Sequence, residues 1–196
     1  MRAEAVHERE HDQLVGLELT VAQFRKFLAL RGDRPTPRVS YLEPSLEIMS
    51  PSKSHEVVKV LLCRLLESWA DERGVELFGM GSTTLRTPRM DRAIEPDGSY
   101  LVGTTTGSVP HIAVEVDGSH RSERNLAIYA ALGVGEVWTW REDVLTIHVL
   151  RRGKMVASAR SEALPELDVP ELAQFLLRWR RPAGLLRTYR ALLRRQ

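Results

Sequence analysis

The stretch IEPDGSYLVGTTTGSVPHIAVEVDG, Ile94 to Gly118, decides how this chain folds. Two short apolar segments flank a loop rich in Gly, Thr and Ser, the signature of paired strands. In HIAVEVDG, Ile112, Val114 and Val116 point to one face, while Ala113, Glu115 and Asp117 point to the other. Asp97 stands just ahead of the first segment, so pairing of the two as a hairpin places it beside Glu115. Ionised carboxylates are costly to bury alone, and a cation is therefore expected nearby. Converging carboxylates without cysteine favour a hard divalent ion, Mg²⁺ or Mn²⁺, held by Asp97 and Glu115 with Asp117 as a further ligand. A simpler account stays open: Asp97 caps the EPDG turn, Glu115 pairs with an arginine, and Asp117 binds its own turn at Gly118.

Outward from this stretch, periodicity alternates between helix and strand. LTVAQFRKFLALRG is a short helix capped by Thr20 and ended by Gly32. Around Pro44-Ser45 the chain alternates apolar and polar residues, as in a hairpin of two short strands. From Ser54 to Arg73, Val57, Val58, Leu61, Leu62, Leu65, Leu66 and Trp69 recur at intervals of three and four, a wide helical face that stops at Gly74. Strands are expected around VELFG, STTLRT, SYLVG and HIAVEV, then a helix from Glu123 to Leu132. A meander of strands follows, EVWTWRE, VLTIHVLRRG and KMVASARS, and a helix over DVPELAQFLLRWRR. Helix, hairpin, long helix, strands, helix, strands, helix is the order of an α/β or α+β domain, a mixed sheet flanked by helices.

The 196 residues suit one domain with a single core. We divide them into a charged flexible leader at 1–18, a domain at 19–181 and a basic amphipathic C-terminal helix at 182–196. The net charge of +2 is too mild to require a polyanionic partner. Cys63 is the only cysteine, which excludes an intrachain disulfide and a cysteine-rich zinc site. No apolar run reaches the length of a membrane span and the charged start is not a signal sequence, so no membrane association and a cytoplasmic location are expected.

YLEPSLEIMSPSKSHE, GSTTLR, IEPDGSY, HIAVEVDGS and YAALGVGEVWTW resemble, in order and spacing, the Uma-type family of restriction endonucleases, a branch of the PD-(D/E)xK nuclease superfamily. The resemblance runs from about Leu19 to Leu177. It implies a restriction-endonuclease-like fold and Mg²⁺-dependent hydrolysis of DNA phosphodiester bonds. Pro96-Asp97 matches the family's Pro-Asp, Glu115 its second acid, and Glu56 the glutamate of the first long helix. The superfamily lysine belongs two residues after Glu115, where this chain has Asp117. Relatives substitute a lysine one turn before the tyrosine matched by Tyr129, and that position is Asn125 here. An amide orients a water but supplies no positive charge. Arg121 and Arg124 are the candidate substrate-binding cations, although an arginine stays protonated and cannot act as a base. Cutting both strands of a duplex suits two sites on a twofold axis, so a homodimer is expected. The rival reading is a catalytically impaired DNA-binding or assembly module that keeps the fold without the lysine.

Other signals are weaker. His7-Glu8-Arg9-Glu10-His11 matches the zinc-protease pattern H-E-x-x-H, but it lies in a charged segment with no apolar stripe to dock it. Gly79 and Gly81 in GMGSTT lack the helix that a phosphate loop needs, so a turn between strands is expected. Cys63, Trp138 and Trp140 fall on apolar faces and read as packing residues. The run GLLRTYRALLRRQ, with its arginines off the apolar face, could dock on its own domain, join a twin subunit or track phosphates. Packing on a subunit is the first expectation.

Overall fold

The computed structural model describes residues 12–32, 34, 36–116 and 122–195. Helix α1 (Val21–Arg31) begins at a capping box in which the Thr20 side chain and Gln23 satisfy each other's backbone N–H groups. The hairpin strands β2 (Arg38–Leu42) and β3 (Ser45–Ser50) flank Glu43-Pro44. Helix α2 (Lys53–Arg73) is capped by Ser52, whose hydroxyl accepts from the His55 N–H, and ends at Gly74 in the left-handed conformation. Its stripe of Val58, Leu61, Leu62, Leu65, Leu66 and Trp69 is buried.

The strands form two sheets. In the first, β1 (Gln13–Glu18), β3, β2, β6 (Arg92–Ile94) and β5 (Leu85–Arg86) pair in that order, all antiparallel. In the second the order is β11 (Lys154–Ser158), β10 (Val144–Arg151), β9 (Glu136–Arg141), β8 (Ile112–Val116), β7 (Gly98–Val102) and β4 (Leu77–Gly79). Its one parallel pair, β8 with β9, is joined by α3 (Ser122–Leu132), since parallel neighbours need a crossover. The chain passes from the first sheet to the second through Glu95-Pro96-Asp97, between β6 and β7. The largest core lies where α2, α4 (Val169–Leu176) and α5 (Leu185–Leu193) cover the second sheet, with Trp138 and Trp140 inside it. A smaller cluster sits under α3, and a third joins α1 to the first sheet, where Phe24 stacks on Tyr41 with ring centroids 4.0 Å apart.

Four expectations change. Gln13–Glu18, assigned to a flexible leader, form β1 along β3, because backbone pairing and not apolar burial holds them: all six residues are exposed. The single mixed sheet is two sheets. Helix α4 ends at Leu176, and the residues after it form turns. The last helix docks on its own domain. Leu185, Tyr189 and Leu193 of α5 are buried against α2, and its arginines meet α2 acids, Arg190 at Asp71 (3.0 Å) and Arg194 at Glu72 (2.8 Å).

Candidate functional site

The hairpin β7–β8 forms as its sequence implies. Its register pairs Gly98 with Val114, and the Asp97 N–H donates to the Val114 carbonyl at 3.0 Å, which fastens Asp97 to β8 one residue from Glu115. Asp97 and Glu115 thus lie at the end of two interior strands and not on an edge strand, where the second sheet meets the first.

The cation expected beside Asp97 turns out to be two side chains. Arg38 Nη1, which donates to the Pro96 carbonyl at 2.7 Å, forms an ion pair with Asp97 Oδ1 at 2.7 Å, and His55 Nε2 lies 2.9 Å from the same oxygen. Asp97 Oδ2 accepts from the Val116 N–H at 2.6 Å, and the side chain is 1% exposed. On the other edge of the imidazole, Nδ1 lies 3.0 Å from Asp12 Oδ2, while Asp12 Oδ1 accepts from the Ser52 N–H at 2.7 Å. Both ring nitrogens thus face carboxylate oxygens, an arrangement that only the doubly protonated ring satisfies. Burial opposes that charge, but the bonds and charges of Asp12 and Asp97 outweigh it and raise the His55 pKa to about 9. Burial likewise works against ionised Asp12, and the His55 and Ser52 bonds prevail, lowering its pKa to about 2. Asp97 is held below the usual carboxylate range against its own burial by His55, Arg38 and the Val116 N–H.

Glu115 accepts a hydrogen bond from the Tyr129 hydroxyl. Burial first, then the charge and bond of Glu115, push the Tyr129 pKa far up, so the phenol stays a donor. One turn earlier on the same helix, Asn125 is buried and its Oδ1 has no hydrogen-bond donor. A buried acceptor without a partner costs roughly 1–3 kcal/mol, which a water or a cation would recover.

Glu56 reaches Asp97 only through Arg38. Its side chain is 40% exposed, Arg38 Nη2 lies 3.6 Å away, and Lys59 pairs with its second oxygen. Arg124, expected to meet substrate, is engaged with the fold. It donates to the Ser40 hydroxyl (2.7 Å) and the Ser45 carbonyl (2.6 Å) and pairs with Glu47 (3.2 Å), fastening α3 to the β2–β3 hairpin. Asp117 and Arg121 lie outside the described residues, as do His7, Glu8 and His11. Asp12, Arg38 and His55 carried no sequence signal as site residues. His55 adjoins Glu56 at the start of α2, but only the fold shows that the histidine, not the glutamate, is what turns to Asp97.

The sequence profile of the family described as "Uma2: Putative restriction endonuclease" matches residues 24–184. The chain belongs to the Uma2 family. Among solved structures, the chain resembles a protein described as a putative nuclease belonging to DUF820 from Anabaena variabilis ATCC 29413. The TM-score is 0.52 at 14% identity, over 82% of this chain and 98% of that one. A likeness at that identity speaks for a nuclease-like fold alone. No curated protein matches this chain.

A Uma2 fold implies a divalent metal, and the residues present fit one in a limited way. Among the described residues no group of three or more His, Cys, Asp or Glu side chains could hold an ion. Mg²⁺, however, keeps several waters and uses one or two carboxylates with substrate phosphates. Asp97 and Glu115 supply two carboxylates where β7 and β8 meet, and the Asn125 amide oxygen is a buried acceptor without a partner one turn before Tyr129. Against this, Arg38 and His55 already neutralise Asp97 Oδ1, which leaves Oδ2 as the oxygen with capacity to spare. The fit is to a weakly held, largely hydrated ion.

Proposed function

We propose that this Uma2 chain is a metal-dependent endonuclease that hydrolyses DNA phosphodiester bonds, with Mg²⁺ or Mn²⁺ bound by Asp97 and Glu115. The observation that supports it is the bond from the Asp97 N–H to Val114, which brings Asp97 to the strand that carries Glu115, within a family described as restriction endonucleases. When bound, such an ion draws charge from a phosphate oxygen and lowers the pKa of its water. The surrounding residues hold this arrangement in place. Tyr129 fixes the Glu115 carboxylate, Arg38 and His55 fix Asp97 through Oδ1, and the Asn125 oxygen accepts from a water. Glu56 acts through Arg38. A homodimer would present one such site to each strand of a duplex.

A second reading is a nuclease-fold module that binds DNA without cutting it. Two observations favour it: Asn125 brings no charge to the place of the lysine, and Asp97 is already neutralised twice. A plasmid-nicking assay separates the two. The nuclease reading expects wild-type protein to relax supercoiled DNA with Mn²⁺ or Mg²⁺ but not with chelator. It expects Glu115→Gln, whose fold circular dichroism can verify, to lose on the order of 100-fold or more. Equal products from wild type and Glu115→Gln would leave the binding module. Asn125→Lys is expected to raise the rate.

A further inference from the structure

Beside the carboxylate site, on the first-sheet side of Pro96, lies a cleft of about 470 Å³ lined by Arg31, Arg34, Arg86, Thr84, Ser82 and Glu95, among others. Glu95 forms its floor and is fully committed. Arg31 grips it with both terminal nitrogens (2.5 and 2.8 Å), Thr84 Oγ1 donates at 2.7 Å, and the Val39 N–H donates at 3.1 Å. Its charge is therefore cancelled by Arg31. Arg34 and Arg86 remain, both exposed and without an acidic partner among the described residues, and they bring two positive charges to the cleft. Arg31 itself is 8% exposed and keeps its Nε–H buried with no acceptor. Two exposed guanidiniums with no acidic partner among the described residues, together with the Ser82 hydroxyl, form a donor set that suits a phosphate. The partial negative charge at the C-terminal end of α1 works against an anion, so the attraction rests on Arg34 and Arg86.

We infer that this cleft binds a phosphate group of a nucleic-acid strand, next to the phosphate that the nuclease reading places at Asp97. The inference rests on that reading for the identity of the strand, but not for the anion chemistry. The two sites are joined directly. Glu95 and Asp97 flank Pro96, about 7 Å apart in extended chain, and β2 serves both, Val39 binding Glu95 while Arg38 binds Asp97. The segment GSTT, unsuited to a phosphate loop because no helix follows it, lines the cleft instead with side-chain hydroxyls.

Binding is tested without metal, so catalysis plays no part. A fluorescent single-stranded oligonucleotide lacking terminal phosphates is titrated with the full chain at several salt concentrations, and inorganic phosphate is then added as competitor. Wild-type protein is expected to bind it. The double variant Arg34→Ala/Arg86→Ala is expected to bind at least roughly ten-fold more weakly. Its slope of log affinity against log salt should fall by about one, the share of one phosphate contact. Arg160→Ala, an exposed arginine outside the cleft, should match wild type. Equal affinity and equal slope for the double variant would overturn the site, whatever the nicking assay gives. Binding of inorganic phosphate that is lost in the double variant while oligonucleotide affinity is unchanged would overturn the strand and leave a site for free phosphate.

Discussion

His55 shares its two N–H groups between Asp12 and Asp97, and that makes one ring the hinge of the site's electrostatics. Its pKa is raised from 6.5 to about 9, so the stability it contributes is complete below pH 6.5 and is lost as pH rises through about 9. Asp12 has the opposite sign: its contribution is present above pH 3.8 and is lost as pH falls through about 2. The cluster is therefore at full strength between about pH 4 and 6.5. Urea unfolding of wild type is expected to weaken by on the order of 3 kcal/mol between pH 6 and 9.5. In His55→Gln that dependence should disappear. The variant should also be less stable at pH 6 by roughly 3–5 kcal/mol, because two buried carboxylates lose their shared cation. A pH response unchanged by the substitution would place the titration elsewhere. None of this was legible from residue types: Asp12, Arg38 and His55 are distant from Asp97 in sequence. The pairing of β7 with β8 was legible, because hairpin register is a local property.

Among the elements, α2 and β7 meet where Gly98 follows the site aspartate. A Cβ built on Gly98 would lie 2.9 Å from the Cys63 Sγ, closer than such atoms approach. Gly98→Ala is expected to cost roughly 1–3 kcal/mol in chemical denaturation. Adding Cys63→Ala should recover most of that loss, giving a coupling that a double-mutant cycle measures. Independent, additive effects would mean that the helix and strand do not touch there. The same contact gives the lone cysteine its role: burial raises the thiol pKa, and it packs as an apolar group. Helices with wide apolar stripes and glycine stops were readable at this scale. Strands β1 and β6 were not, since one is wholly exposed and the other has three residues. Both exist because a neighbouring strand offers hydrogen bonds.

Across the whole molecule, α5 returns to α2 more than a hundred residues later in the chain and closes the main core. Its apolar face and its ion pairs are expected to contribute unequally. Leu193→Ala should cost about 2–5 kcal/mol and lower Tm by roughly 5–15 °C. Arg190→Ala and Arg194→Ala should each change stability far less than Leu193→Ala, because these pairs are exposed to water. A scan in which the arginine variants match the leucine variant would reverse that ranking. Taken alone, the sequence determined the helices, the hairpins, the mixed α/β class and the likeness to Uma2 relatives, since periodicity, caps and turn residues act over a few neighbouring positions. Only the tertiary structure decided that the strands divide into two sheets and that α5 serves its own domain. It alone also decided that a guanidinium and an imidazolium stand beside Asp97, because long-range packing selects which distant surfaces and charges meet, and local patterns do not encode that choice.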